Sequence, residues 1–448
     1  MRETDVAVIG GSAAGLTAAL TARRHYPEKR VLVIRRERQV LVPCGIPYIF
    51  GTLRDPAKNV MPDAPYASNR IDLMQAEVTA LDPGGRILRT SGEDVRYERL
   101  VLATGSLPAM PPIPGFDKDG VFAIQKDIGY LGGLLERLKG AHDVVVIGGG
   151  FIGIEFADEI RKLGKARITV VEIAPHCLSL AYDDEFCEEM EAHLAARGVE
   201  IRTSARVECI AGDKHVQSVR LSDGSQVDAD AVIVGIGAVP NVDLAKQADL
   251  RIGLTGGLAV DQTMMTSDSA IFACGDCAEK LSFFGGRPSN LKLASIAQTE
   301  ARIAGANLFG IKRQNHGTVG VWSTCVGELA LGTAGLTESM ARQRGYDVVT
   351  ATIEGPNRHP GGMPGAAQVR MKAVFEAHSG VILGAQVRGD PSVGEMINAA
   401  SACVQMRMTV EDIATFQIGT HPALTASPVV YPLVNAAEVA ISRMRQRN

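Results

Sequence analysis

Twice in this chain a short apolar run ends in a cluster of glycines and leads straight into a helix pattern, the two clusters lying 138 residues apart counted from Gly10 to Gly148. A repeat of strand, glycine turn and helix commits the fold to layered α/β structure before any other feature is weighed. The first occurrence runs Asp5-Val6-Ala7-Val8-Ile9, then Gly10-Gly11-Ser12-Ala13-Ala14-Gly15, then a helix pattern from Leu16 to Tyr26. The second runs Asp143-Val144-Val145-Val146-Ile147, then Gly148-Gly149-Gly150-Phe151-Ile152-Gly153, then a helix to about Gly164 and a strand over Ile168–Glu172. A turn of this kind brings backbone N–H groups and the positive end of a helix up to a pyrophosphate, and its residues must be small because a side chain would displace the ligand. Each occurrence therefore predicts one bound dinucleotide.

The second fingerprint is complete. Gly148, Gly150 and Gly153 fill the three glycine positions, and Glu172 follows the last of them by 19 residues, where a carboxylate accepts the adenosine ribose hydroxyls. Its charge repels a 2′-phosphate, which favours NADH over NADPH. The first fingerprint departs in two places. Ser12 replaces the middle glycine, and the strand Arg30–Ile34 ends at Arg35-Arg36 rather than at an acid, with Glu37 just beyond. Either Glu37 serves the ribose from a slipped strand end or Arg35 makes a different contact; the residues leave both open.

Between the two lies Pro43-Cys44-Gly45-Ile46-Pro47-Tyr48, a cysteine flanked by prolines that fix φ, with a glycine that lets the backbone pass close to a flat partner. In isolation such a cysteine reads as an ordinary buried one. The stretch Tyr48–Ala67, rich in Pro, Gly and Asn, reads as an irregular loop. Further on, Arg99–Gly105 is a buried strand closed by Ala103-Thr104-Gly105, and the proline-rich Pro108–Gly115 reads as a crossing between domains. A strand and turn over Ala231–Asn241 contains Gly237. Cys274-Gly275-Asp276-Cys277 then offers a C-x-x-C, but no second pair or histidine cluster completes a zinc site, and no metal is expected. From about Val319 strands and helices alternate differently, which marks a separate α+β domain ending in Gly419-Thr420-His421-Pro422 and a last helix from about Tyr431.

The formal net charge of -4 leaves no global basic field for nucleic acid. Eight cysteines scattered over 448 residues argue for a reducing compartment, expected to be the cytoplasm. No apolar run reaches the roughly 20 residues that span a bilayer, and the N-terminus shows no cleavable leader pattern.

Taken in order, Gly10 to Gly15, Cys44-Gly-Ile-Pro-Tyr48, Ala103-Thr104-Gly105, Gly148 to Gly153, Gly237-x-x-Pro240-Asn241 and Gly275-Asp276-Cys277-Ala278 resemble the two-dinucleotide flavoprotein disulfide reductases over essentially the whole chain. The likeness is to the single-cysteine branch, with coenzyme A-disulfide reductases, NADH-dependent persulfide reductases and NADH oxidases or peroxidases. The resemblance implies two Rossmann-like domains of glutathione-reductase type and a C-terminal α+β dimerisation domain. FAD is expected in 1–112 and 251–318, NAD(H) in 113–250, and a homodimer through 319–448. It places FAD against Gly10, Ser12, Ala13, Ala14, Gly15, Arg35 or Glu37, Pro43, Ala103, Thr104, Gly105, Gly275, Asp276 and Ala294. NAD(H) is placed against Gly148, Gly150, Phe151, Ile152, Gly153, Glu172 and Gly237.

Cys44 is then the redox centre. Branches with an internal disulfide have C-x-x-x-x-C, whereas the residue five after Cys44 is Ile49, so one sulfur must cycle between thiolate and a mixed disulfide, persulfide or sulfenic acid. The oxidase and peroxidase group carries a histidine where this chain has Ala13, which weakens oxygen or peroxide chemistry as the main reaction. Thr17, Arg23 and Arg24 stand where relatives that bind coenzyme A use basic residues, though a solvated arginine pair reads equally well. His421 resembles the acid-base histidine of the two-cysteine reductases, while its usual glutamate partner falls near Ala426. The expected activity is NADH-dependent reduction of a persulfide, polysulfide or coenzyme A disulfide, a small-molecule sulfur substrate. An NADH oxidase or peroxidase and an electron-transfer reductase for a ferredoxin-like partner are the rivals.

Overall fold

The computed structural model describes residues 1–164 and 166–447. They form two compact units, one of residues 1–111, 122–140 and 236–318, the other of 112–121, 141–164, 166–235 and 319–447.

The first unit is built on a seven-stranded sheet whose parallel part runs, in spatial order, Asp72–Gln75, Val31–Arg35, Arg2–Ile9, Val95–Leu102 and Ile271–Ala273. These strands read as continuous apolar runs because helices cover the sheet; Val6, Ala7, Val8, Leu32, Val33, Leu100 and Ile271 are all essentially inaccessible. Two helices, Ala13–His25 and Ala294–Asn307, pack on it through small residues. A Cβ on Gly305 would stand 2.6 Å from the Ala18 carbonyl oxygen, so the two helix backbones nearly touch. The first helix begins three residues earlier than its hydrophobic pattern suggests, because Ala13 and Ala14 carry no amphipathic signal.

The expectation of an irregular loop over Tyr48–Ala67 is overturned. Short helical turns occupy Ile49–Leu53, Pro56–Asn59 and Ala64–Ser68. Each of the latter two has a proline in its first turn, where the missing N–H costs nothing, so the prolines start helices here instead of breaking structure.

The second unit contains parallel strands in the order Val199–Arg202, Arg167–Val171, Asp143–Ile147 and Ala231–Val234, with the helix Phe151–Arg161 after the glycine turn. Its other half is a five-stranded antiparallel sheet ordered Val321–Val326, Leu329–Gly335, Ile382–Gly389, Gln368–Glu376 and Val348–Pro356. Helices Val393–Gln405 and Pro432–Arg445 complete it. Between the halves, buried Lys372 bonds to Asp183 at 3.0 Å, Glu185 at 2.7 Å and Glu338 at 2.9 Å, while the Asp183 carboxylate also accepts the amides of Glu338 and Ser339.

Candidate functional site

In the first unit the strands end level. Ile9 pairs with Ile34 on one side and Leu102 on the other, and Leu102 pairs with Ala273. Arg35, Gly10, Ala103 and Cys274 therefore follow one another along a single carboxyl edge, spaced by roughly 4.8 Å per strand. This is where an open α/β sheet receives a ligand.

Gly10 has φ +113°, and a Cβ there would sit 2.2 Å from the Ala103 carbonyl oxygen; one on Gly15 would sit 1.8 Å from the Gly10 oxygen. Ser12 is extended, with φ -84° and ψ -166°, and makes no side-chain cap, so its backbone serves where a glycine is usual and leaves the first-turn amides of the helix uncapped. Thr104 Oγ1 donates to Asn241 O at 2.7 Å, and the Asn241 amide donates to Gly105 O at 2.9 Å. Gly275 has φ +79°, and its missing Cβ admits Ala14, whose Cβ would be 2.9 Å away. Asp276 accepts Ser106 Oγ at 2.7 Å. Ala294 opens its helix, again without a side-chain cap. Two cradles that a single Cβ would fill, two uncapped helix starts and one aspartate fit the pyrophosphate and polyol of FAD.

Arg35 and Glu37 both have protein partners. The Arg35 guanidinium is buried and grips Asp63 at 2.6 and 2.7 Å while also donating to Arg38 O at 2.8 Å. Its stem runs beneath Gly11, where a Cβ would stand 2.6 Å from Arg35 Cδ. Glu37 pairs with Arg36 at 3.0 Å. Tyr66, overlooked because it lies in the supposed loop, donates to Gly11 O at 3.0 Å, and burial pushes its hydroxyl up to about 12.

Cys44 is exposed on a 3₁₀ turn, Pro43–Gly45, as a thiol that meets a substrate must be and an ordinary buried cysteine would not be. Gly45 also has a reason within the protein: a Cβ there would meet Asn59 Oδ1 at 2.0 Å. Asn59 is buried, donates from Nδ2 to Val42 O at 2.9 Å and accepts the Val42 amide on its carbonyl at 2.9 Å, so it braces the cysteine turn from behind. No local pattern around Asn59 signals this. The Gly45 and Ile46 amides are both used inside the turn, on Val42 O and Pro43 O. Of the other cysteines, five are buried and two half-buried. Burial pushes the Cys177 thiol up to about 12, and those of Cys187, Cys274, Cys277, Cys325 and Cys403 also upward. Cys274 and Cys277 sit wholly inside the core, Cys277 donating to Leu102 O at 3.4 Å.

In the second unit Gly148 has φ +105°, and a Cβ on Gly153 would be 1.8 Å from the Gly148 oxygen. Gly150 is extended and faces open space. Glu172 accepts the Gly149 amide at 2.5 Å on one oxygen and the Ala174 amide at 2.7 Å on the other. A carboxylate has about four acceptor sites, so it retains capacity for ribose hydroxyls. Phe151 stacks on Trp322 with ring centroids 6.2 Å apart, and Ile152 is 45% exposed beside it at the helix start. Glu155, one turn on, accepts Thr324 Oγ1 at 2.8 Å and is pushed up to about 7 by burial. Gly237, in the first unit, has φ +106° and accepts the Ala109 amide at 3.0 Å.

The C-terminal loop exposes His421, whose Nδ1 accepts the Ala423 amide at 3.2 Å and so leaves the proton on Nε2. The loop rests on His359, whose Nδ1 donates to Thr425 O at 3.1 Å. Arg23, a coenzyme A candidate, is committed elsewhere: its guanidinium donates to the carbonyls of Pro27, Lys29, Asn69 and Arg70, closing the end of the first helix. Arg24 is exposed and Thr17 half-buried.

Two nucleotide-binding edges and one exposed thiol on a braced turn define a flavoprotein oxidoreductase that works with a pyridine nucleotide. The comparisons agree with that class. The family model for pyridine nucleotide-disulphide oxidoreductase matches residues 4–301, and the model for the dimerisation domain of the same family matches 321–430; the chain belongs to this family. It is 33% identical over 442 residues to an NAD(P)H coenzyme A polysulfide/persulfide reductase of Pyrococcus horikoshii, covering 97% of this chain and 98% of that protein. It is 30% identical over 453 residues to an NADH oxidase of Methanocaldococcus jannaschii, covering 98% and 99%. Among solved structures, an NAD-dependent persulfide reductase from A. fulgidus superposes with a TM-score of 0.91 at 31% identity, covering 99% of this chain and 84% of that one. The protein is thus an FAD-dependent pyridine nucleotide oxidoreductase with a C-terminal dimerisation domain. Among the described residues no helix is long and apolar enough to cross a membrane.

Proposed function

We propose that this protein uses NADH to reduce a persulfide, polysulfide or coenzyme A disulfide through Cys44 alone, in a reducing cytoplasm. One observation carries the reading: Cys44 is the exposed member of eight cysteines and stands on a turn that Asn59 holds rigid. The Cys44 thiolate attacks the sulfur–sulfur bond of the substrate; one sulfur stays on Cys44 and the other leaves as sulfide or thiol. Two electrons from NADH then cleave the new bond at Cys44 and restore the thiolate. FAD, when bound, carries those electrons between nicotinamide and sulfur. For a persulfide the balance is RSSH + NADH + H⁺ giving RSH + H₂S + NAD⁺.

The residues divide the work. Gly10, Ser12, Gly15, Thr104, Asp276 and Ala294 hold FAD, with Pro43 stiffening the turn beneath it. Gly148, Gly150, Gly153 and Glu172 hold NADH, Glu172 disfavouring a 2′-phosphate. His421 of the partner subunit, its Nδ1 held by the Ala423 amide, presents Nε2–H across the homodimer as proton donor to the leaving sulfur. Thr17 and Arg24 are the candidates left for a coenzyme A phosphate.

Relatives named NADH oxidase keep an oxygen reaction in play. Ala13 supplies no base beside the sulfur, which supports the sulfur reaction. Replacing Cys44 by Ser tests it: NADH consumption with persulfide should fall at least a thousandfold, about 4 kcal/mol, while FAD stays bound. Retained persulfide turnover, or NADH-dependent oxygen uptake faster than sulfur reduction in the unaltered protein, would overturn the assignment.

A further inference from the structure

Below the carboxyl edge of the first unit lies an ion pair to which neither the motifs nor the family match assigns a role. The Lys280 and Glu300 side chains are 3% and 1% exposed and 3.1 Å apart. They close on one residue. Glu300 Oε2 accepts the Gly275 amide at 2.9 Å, and Lys280 Nζ donates to the Gly275 carbonyl and to Ala278 O at 2.8 Å. The amide and the carbonyl of Gly275 are therefore both held by the two side chains of one buried pair. That glycine has φ +79°, admits Ala14 of the first glycine turn and precedes Asp276, which Ser106 holds at 2.7 Å.

Stability alone is a poor reason for such a pair, because an apolar pair of similar volume stabilises a core as well or better. A second observation concerns the same carboxylate. Glu300 Oε1 is buried and has no hydrogen-bond donor among the described residues, so the acid is under-used by its own fold. Buried acceptors are rarely left that way unless position matters more than stability.

We propose that Lys280 and Glu300 form a positioning pair for FAD, setting the depth and orientation of the Gly275–Asp276 turn against the first glycine turn. The inference rests on the FAD reading of this edge. Neither residue is a catalytic residue; each acts through the backbone of Gly275.

The test uses the full chain stripped of FAD, as wild type, Lys280→Met, Glu300→Gln and the double variant, read by flavin fluorescence on titration with FAD and by thermal midpoint with and without FAD. The FAD dissociation constant should rise about tenfold in each single variant, the lower end of what outer partners of a cofactor site cost. It should rise by a similar factor, not the product, in the double variant. The rise in thermal midpoint on adding FAD should shrink, while the double variant, which strands no buried charge, melts without FAD as the wild type does. A double variant that binds FAD within twofold of wild type overturns the proposal. So does an equal fall of both midpoints with the FAD-induced rise intact, the mark of a merely structural pair. If a single variant fails to fold, the double variant decides. A wild-type chain that takes up no FAD would defeat the cofactor reading itself, which the other outcomes leave standing.

Discussion

The two glycine turns share their backbone and differ in what stands beside it. Gly10 and Gly148 adopt φ of +113° and +105°, and in both turns the last glycine is packed so that a Cβ would stand 1.8 Å from the first glycine's oxygen. Ser12 and Gly150 occupy the same extended conformation, so the middle position needs smallness more than it needs glycine. Beside the second turn Glu172 reaches back to the Gly149 amide; beside the first, the equivalent strand end carries Arg35, turned inward onto Asp63. Close approach to a pyrophosphate is a backbone requirement that admits almost no variation. The flank that meets the ribose is a matter of side chains, and it varies.

Three sets of substitutions would break or sharpen that contrast. The largest effect should come from Gly15→Ala and Gly153→Ala, whose new Cβ has no room. The first should cost FAD affinity and the second NADH affinity by about a thousandfold, about 4 kcal/mol, measured by flavin content and by NADH titration; loss of the same nucleotide from both would erase the distinction between the turns. Next comes Asp63→Asn. Arg35 is 4% exposed and Asp63 50% exposed, so removing the acid strands a buried guanidinium. Denaturant unfolding should register about 3 kcal/mol, whereas Arg35→Met returns Asp63 to water and should cost about 1 kcal/mol. Equal costs would mean that the pair is a surface bridge. The third is Glu172→Gln, which should narrow the ratio of NADH to NADPH kcat/KM by about tenfold, about 1.4 kcal/mol; an unchanged ratio would remove Glu172 from cofactor choice.

Much of this was legible in the residues because glycine turns, apolar parallel strands and the Cys44 motif are local signals. The order of the two nucleotide folds and the position of the thiol needed nothing beyond them. What escaped was long-range support. Asn59 behind Gly45, Tyr66 and Arg35 around Gly11, and Lys280 with Glu300 around Gly275 are brought together only by the tertiary fold, and none has a distinctive neighbourhood in the chain. The stretch Tyr48–Ala67 departs from its loop-like composition for a related reason: proline breaks a helix in its interior but starts one at a first helical position. Arg23 shows the same limit, since its hydrogen bonds to four carbonyls are also made only by the tertiary fold.

The burial of the remaining sulfurs has a practical side. With six thiols pushed toward the protonated form by burial and Cys44 exposed, a mild alkylating reagent meets Cys44 first, ahead of half-buried Cys209. The first thiol to react in a preparation therefore reports on the exposed turn, and oxidative damage strikes that sulfur before it reaches the buried ones.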